Sequence, residues 1–172
     1  MLKSINLCEF TPKEEIEDRI ARLKKKMSES GISFAVIIQN VDLFYFTGSL
    51  QNGVLFVTID EKPIFFVMKN LNRAVFETSL EITSIKKEKD VKDILTDMRL
   101  LKGKGGMELD VVPVAVFERW KGILDYDEIT DISRLIKDIR LIKSPFELEQ
   151  IKKSGEIIGH VFGKAKDVIK EG

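Results

Sequence analysis

From residue 11 to residue 137 the chain alternates between two hydrophobic periodicities, and few architectures accept that alternation. Residues 33–38, 53–59 and 63–68 are short, nearly unbroken apolar runs of strand length. A strand without a polar face is buried on both sides, which calls for one layer above it and one below. Asp60-Glu61-Lys62 joins the second run to the third, as a hairpin turn does. Between the runs lie segments at helical spacing. Ile16, Ile20, Leu23 and Met27 recur at steps of four, three and four, so they share one face of a helix that Gly31 stops. Thr11-Pro12-Lys13-Glu14 predicts a capping box at its start, with Thr11 as cap and Pro12 at the first helical position.

The remaining elements follow from the same signals. Residues 42–48 form an aromatic turn or short helix ending at Gly48, and residues 70–79 a helix with Leu71, Val75 and Phe76 facing inward. A weak strand is expected over 82–85. Asp90 is expected to cap a helix carrying Val91, Ile94, Leu95, Met98 and Leu101, which the Gly103-Lys104-Gly105-Gly106 break ends. A strand over 107–111 precedes a helix marked by Val114, Phe117, Lys121 and Leu124, with Trp120 on its flank. A last strand covers 128–130, and Asp131 caps a short helix containing Ile132, Leu135 and Ile136. This order predicts an α/β three-layer domain with a mixed sheet flanked by helices. The tail differs. Ser144-Pro145-Phe146-Glu147 is a second capping box, opening a helix to about residue 170 with Ile151, Ile158, Phe162, Ala165 and Ile169 on one stripe.

Composition narrows the chemistry. The 172 residues carry 28 Lys and Arg against 28 Asp and Glu, so the chain lacks the cationic surplus of a general nucleic-acid binder. No apolar run approaches the ~20 residues of a membrane helix, and the single Cys8 implies no disulfide. The default compartment is the cytoplasm. His160 is the single histidine; metal sites, triads and proton shuttles are commonly built around that side chain. Glu156 stands four residues before it, but no further ligand shares the spacing, and it reads as a solvated flank residue. The glycine run at 103–106 follows a helix and precedes a strand, the reverse of a phosphate loop. Cys8 has no neighbouring His, and no serine stands in a nucleophile elbow. Asp125, Asp127, Glu128 and Asp131 lack a calcium-loop pattern and read as a polar connection. Phe44, Tyr45 and Phe46 read as core. No motif specifies a reaction, and no catalytic or metal-ligating residue is assigned.

Two segments carry a resemblance. Residues 39–49, Gln-Asn-Val-Asp-Leu-Phe-Tyr-Phe-Thr-Gly-Ser, are similar to the Tyr-Leu-Thr-Gly signature of the creatinase/prolidase N-terminal domain. Residues 139–152, Ile-Arg-Leu-Ile-Lys-Ser-Pro-Phe-Glu-Leu-Glu-Gln-Ile-Lys, resemble the Arg-x-x-Lys-Ser-Pro-x-Glu stretch that joins that domain to a pita-bread metallopeptidase domain. Gly-Gly-Met-Glu-Leu at 105–109 stands where the family has a Gly-x-Glu strand.

The resemblance implies residues 1–137 as the N-terminal domain and 138–172 as the linker and first helix of a C-terminal catalytic domain outside this sequence. It implies Xaa-Pro dipeptidase or aminopeptidase activity for a longer protein, usually a homodimer, acting on short proline-containing peptides. Two divalent metals, Mn or Co, are expected on two Asp, one His and two Glu in the C-terminal domain. Tyr45, Thr47, Gly48, Ser49, Gln51 and Asn52 are the expected substrate-entrance loop. Gln39-Asn40 replaces the family's Asn-Pro, and residues 49–52 lack the Arg often found there, so dipeptidase, aminopeptidase and creatinase-like activities stay open. A protein-binding module that keeps the fold without peptidase activity is the alternative.

Overall fold

The computed structural model describes residues 10–169; Cys8 lies outside them. In chain order they form α1 (Lys13–Glu29), β1 (Phe34–Ile37), α2 (Asn40–Thr47), β2 (Gly53–Thr58), β3 (Ile64–Val67), α3 (Leu71–Glu77) and β4 (Glu81–Ser84). Then come α4 (Lys89–Asp97), β5 (Gly105–Met107), α5 (Val114–Leu124), β6 (Ile129–Asp131), α6 (Ser133–Leu141) and α7 (Pro145–Val168). Among the described residues the strands make one mixed sheet in the order β4-β3-β2-β1-β5-β6. β2 is antiparallel to both neighbours, and the other pairings are parallel.

Side chains alternate across a pleated strand, and both faces of this sheet are packed. In β1, Ala35 and Ile37 enter one core while Phe34 and Val36 enter the other; Leu55 and Val57 oppose Val54 and Phe56 in β2 in the same way. The first core is closed by Ile16, Ile20, Leu23 and Met27 of α1, Leu43 and Phe46 of α2, and Ile136 and Ile139 of α6. The second is closed by Val91 and Leu95 of α4 and by Trp120 and Leu124 of α5. The mixed sheet flanked by helices is the predicted architecture.

Several local expectations are corrected. Pro12 is the N-cap of α1, not its first residue: its ψ of 149° keeps it extended, and no side chain caps the helix. Thr11 thus stands one residue too early. α3 turns Ala74 and Glu77 inward and leaves Leu71, Val75 and Phe76 outside, Phe76 at 76% exposure. Glu77 wins that face because donors await it there. Asp90 is preceded by Glu88 as N-cap, and its carboxylate reaches back to the amides of Lys86 and Lys87. Met98 is exposed. α4 ends at Asp97, before the glycines, and Arg99 takes a left-handed φ of 56°. Gly105 and Gly106 belong to the strand, which stops at Met107 and does not run to residue 111. A Cβ on Gly106 would lie 2.4 Å from Ile132 Cγ2, so this pair brings the α6 connection onto the sheet. Trp120 is core, not flank, and Val114 points outward. Of the three consecutive aromatics, Tyr45 and Phe46 are buried and Phe44 is 42% exposed.

The chain divides into two compact units between Ile139 and Arg140. The second contains α7, whose capping box forms as predicted: Glu147 N–H donates to Ser144 Oγ at 3.1 Å, and Ser144 N–H donates to Glu147 Oε2 at 2.9 Å. Along α7, Ile151, Ile158 and Phe162 are exposed, as are His160 and the C-cap residue Ile169.

Candidate functional site

The parallel strands β1, β3 and β5 end on the same side of the sheet, and β2 begins there. That arrangement puts α2, the 48–52 loop and the start of α3 along one rim. α2 is rich in bulky aromatics, and its ends are fixed by specific contacts. The amides of Val41 and Asp42 donate to Gln39 Oε1 at 2.7 and 2.9 Å, which caps the helix start. Gly48 ends it at φ 73°, a left-handed conformation that favours glycine. A Cβ there would also lie 3.1 Å from Thr11 Cβ and 3.2 Å from the Glu77 carbonyl oxygen.

Beyond Gly48 the loop is pinned by a buried carboxylate. Ser49 Oγ donates to Glu77 Oε2 at 2.7 Å, Gln51 Nε2 donates to the same oxygen at 3.1 Å, and Arg73 Nε donates to Glu77 Oε1 at 2.6 Å. Burial alone would raise the Glu77 carboxyl, but these hydrogen bonds and the Arg73 charge together hold it below its ordinary value. Thr47 Oγ1 donates to the Leu43 carbonyl at 2.8 Å and accepts from Ser49 N–H at 3.1 Å. Tyr45 is turned toward α1: Arg19 Nη1 donates to its carbonyl at 2.7 Å, and the guanidinium lies 4.1 Å from the ring centre.

Of the residues expected at an entrance, Tyr45, Thr47, Gly48, Ser49 and Gln51 are therefore buried, and Asn52 is exposed. Ser49, Gln51 and Thr47 are brought together; Tyr45 belongs to the α1 contact. Leu50, between two inward side chains, is 72% exposed. Val41, Phe44, Leu71, Val75 and Phe76 add exposed apolar side chains on α2 and α3.

Two acidic residues were missed by sequence reasoning. Glu77 stands four residues after Arg73, the signature of a surface ion pair, which conceals its inward role. Glu108 follows β5 and is fully buried. Its Oε1 accepts the amides of Ile38 and Gln39, each at 2.7 Å, and its Oε2 has no hydrogen-bond partner among the described residues. Burial, with the nearby Asp42 charge adding to it, pushes the Glu108 carboxyl up to about 7 against the pull of the backbone amides. A charged residue ending an apolar strand was the available signal.

The other acidic residues separate. Asp125 pairs with Lys92 at 3.0 Å and Asp127 with Lys121 at 3.1 Å, while Asp131 Oδ1 accepts the amides of Leu109 and Ser133. Among the described residues no three His, Cys, Asp or Glu side chains converge as metal ligands, and no helix is long and apolar enough to cross a membrane. The described residues thus offer no set of side chains that fits a dinuclear metal centre.

The mixed sheet with helices on both faces and a structured rim defines an α/β domain of three layers. The chain belongs to the creatinase/prolidase family: the model of the creatinase/prolidase N-terminal domain matches residues 19–142. It is similar to the Xaa-Pro dipeptidase of Pyrococcus furiosus, 29% identical over 159 residues that cover 91% of this chain and 44% of that protein. The solved prolidase structure from Pyrococcus furiosus superposes with a TM-score of 0.76 at 29% identity, over 88% of this chain and 46% of that one. The fold is shared with the Xaa-Pro dipeptidase from Bacillus anthracis, at a TM-score of 0.80 and 20% identity, over 91% of this chain and 44% of that one. The chain thus spans less than half the length of the curated relatives it matches.

Proposed function

We propose that these residues are the non-catalytic N-terminal domain of a metal-dependent Xaa-Pro dipeptidase or aminopeptidase, where the domain supports dimerisation and shapes the active-site entrance. The observation that carries the reading is the family match over residues 19–142, together with a relative of whose length this chain covers 44%. On this reading residues 138–172 are the linker and first helix of a catalytic domain, and two divalent metals, Mn or Co, sit in that domain. When bound there, such metals would supply an activated water for peptide hydrolysis. The rim of α2, the 48–52 loop and α3 is the part of this domain that faces the entrance, and short proline-containing peptides are the substrates. The expected compartment is the cytoplasm.

The test is hydrolysis of Xaa-Pro dipeptides and longer Xaa-Pro peptides by the full-length protein, with and without added Mn. Metal-dependent release of the residue before proline is expected, and the size of the preferred peptide separates dipeptidase from aminopeptidase. No hydrolysis with any added metal would leave the non-enzymatic binding module as the function of this fold.

A further inference from the structure

Glu108 is set at the point where two elements of the rim meet. β1 and β5 are parallel neighbours, and Glu108, directly after β5, reaches across to the amides of Ile38 and Gln39 at the end of β1. Gln39 is also the residue whose side chain caps α2. One carboxylate thus holds the backbone of the residue that starts the helix, and that helix delivers the 48–52 loop. The second carboxylate oxygen is buried without a partner among the described residues. Such an oxygen is tolerable on a neutral acid and costly on an anion.

Among the described residues the charge shown to act on Glu108 is that of Asp42. Asp42, in the first turn of α2, is itself buried and repels an ionised Glu108. Asp110, next along the chain, is engaged by Lys137 of α6 and by Ser133. Asp131 at the end of β6 accepts from the amides of Leu109 and Ser133 and from the Ser133 hydroxyl. No cation acts on Glu108 among the described residues.

We propose that Glu108 is a protonation-controlled latch: the neutral acid holds the β1–α2 junction closed, and ionisation loosens the start of α2 and, through it, the 48–52 loop. The positioning role stands on geometry alone; its meaning as control of an active-site entrance rests on the function proposed above. The carboxyl's raised value, about 7 against an ordinary 4.5, sets the range in which the latch responds. An opening that exposes Glu108 restores the ordinary value, so the opening equilibrium grows by up to about tenfold per pH unit between the two values and levels off above the higher one.

Amide hydrogen exchange of the full chain, followed residue by residue by NMR from pH 5 to pH 8.5 and corrected for intrinsic rates, reads this directly. Protection of the Ile38, Gln39, Val41 and Asp42 amides is expected to fall steeply up to about pH 7 and then level, at opening free energies below that of Val57, which exchanges through global unfolding. Glu108→Gln keeps an acceptor for both amides and removes the titration, so its protection is expected to be pH-independent. Flat wild-type protection, or an equal slope in Glu108→Gln, overturns the proposal. Should that variant fail to fold, the carboxyl carbon of Glu108 is titrated in the unaltered chain: a midpoint near 7 supports the latch, and one near 4.5 overturns it. Neither readout involves hydrolysis, so failure here leaves the peptidase reading intact and the converse also holds.

Discussion

At the scale of single residues, two buried carboxylates set opposite pH dependences. Glu77 has a folded value below the ordinary 4.5, so its stabilisation is fully present above that pH and is lost as pH falls through the folded value. Glu108 has a folded value of about 7, so between 4.5 and 7 the unfolded chain binds fewer protons than the folded one, and stability declines as pH rises through that window. The decline amounts to about 3 kcal/mol by the conversion of pKa shift to free energy. Urea unfolding at pH 5 and pH 8 is expected to show it in the unaltered chain and not in Glu108→Gln. Glu77→Gln is expected to lower stability at pH 7 by about 1.5–3 kcal/mol, the range for hydrogen bonds to a charged group, and by much less at pH 3. An equal loss at both pH values would mean that packing, and not the charge, is what Glu77 supplies. The inward role of both residues was hard to read in the sequence for one reason: a carboxylate reads as surface until its donors are known, and Ser49, Gln51, Ile38 and Gln39 are distant along the chain.

At the scale of elements, legibility follows how many faces an element buries. β1, β2 and β3 bury both, so their apolar runs were plain, and α1 and α7 carry stripes long enough to phase. β5 was placed two residues too late because its Gly105-Gly106 start looks like a break, although the close approach of Phe34 and Ile132 leaves no room there for a side chain. α3 was found but mis-phased, since seven residues give too few turns to overrule one strong polar contact. Of the expected entrance residues, the segment was legible from the Tyr-Phe-Thr-Gly signature, whereas the inward turn of Ser49 and Gln51 depends on Glu77. The junction at Gly48 gives an element-scale prediction. Gly48→Ala places a Cβ at a left-handed φ and within 3.2 Å of the Glu77 carbonyl oxygen, so α2 and the loop must shift together. A loss of about 1–3 kcal/mol is expected in chemical denaturation. Ala at exposed Asn52 is expected to change stability by less than about 0.5 kcal/mol. Equal effects at the two positions would contradict the account of the turn.

At the scale of the whole molecule, α7 sets the remaining expectation. It is 24 residues long, with a sound capping box at its start, yet Ile151, Ile158 and Phe162 are exposed along it and Ile169 at its C-cap. Propensity and a cap alone leave a helix marginal in water; an amphipathic helix gains most of its stability when its apolar stripe is covered. A stripe of this kind in the 172-residue chain is a site of association between copies. Sedimentation of that chain is therefore expected to show concentration-dependent association, with helical content by far-UV circular dichroism rising alongside it. Replacing Ile158 and Phe162 together by Ser removes the middle of the stripe and leaves the Ser144–Glu147 box untouched. The double variant is expected to sediment as a monomer across the same concentrations and to lose the concentration-dependent part of its helicity. Association that survives the double substitution would move the contact to the exposed apolar side chains of the rim, Leu50, Val75 and Phe76, and Phe76→Ser would then be the change that abolishes it.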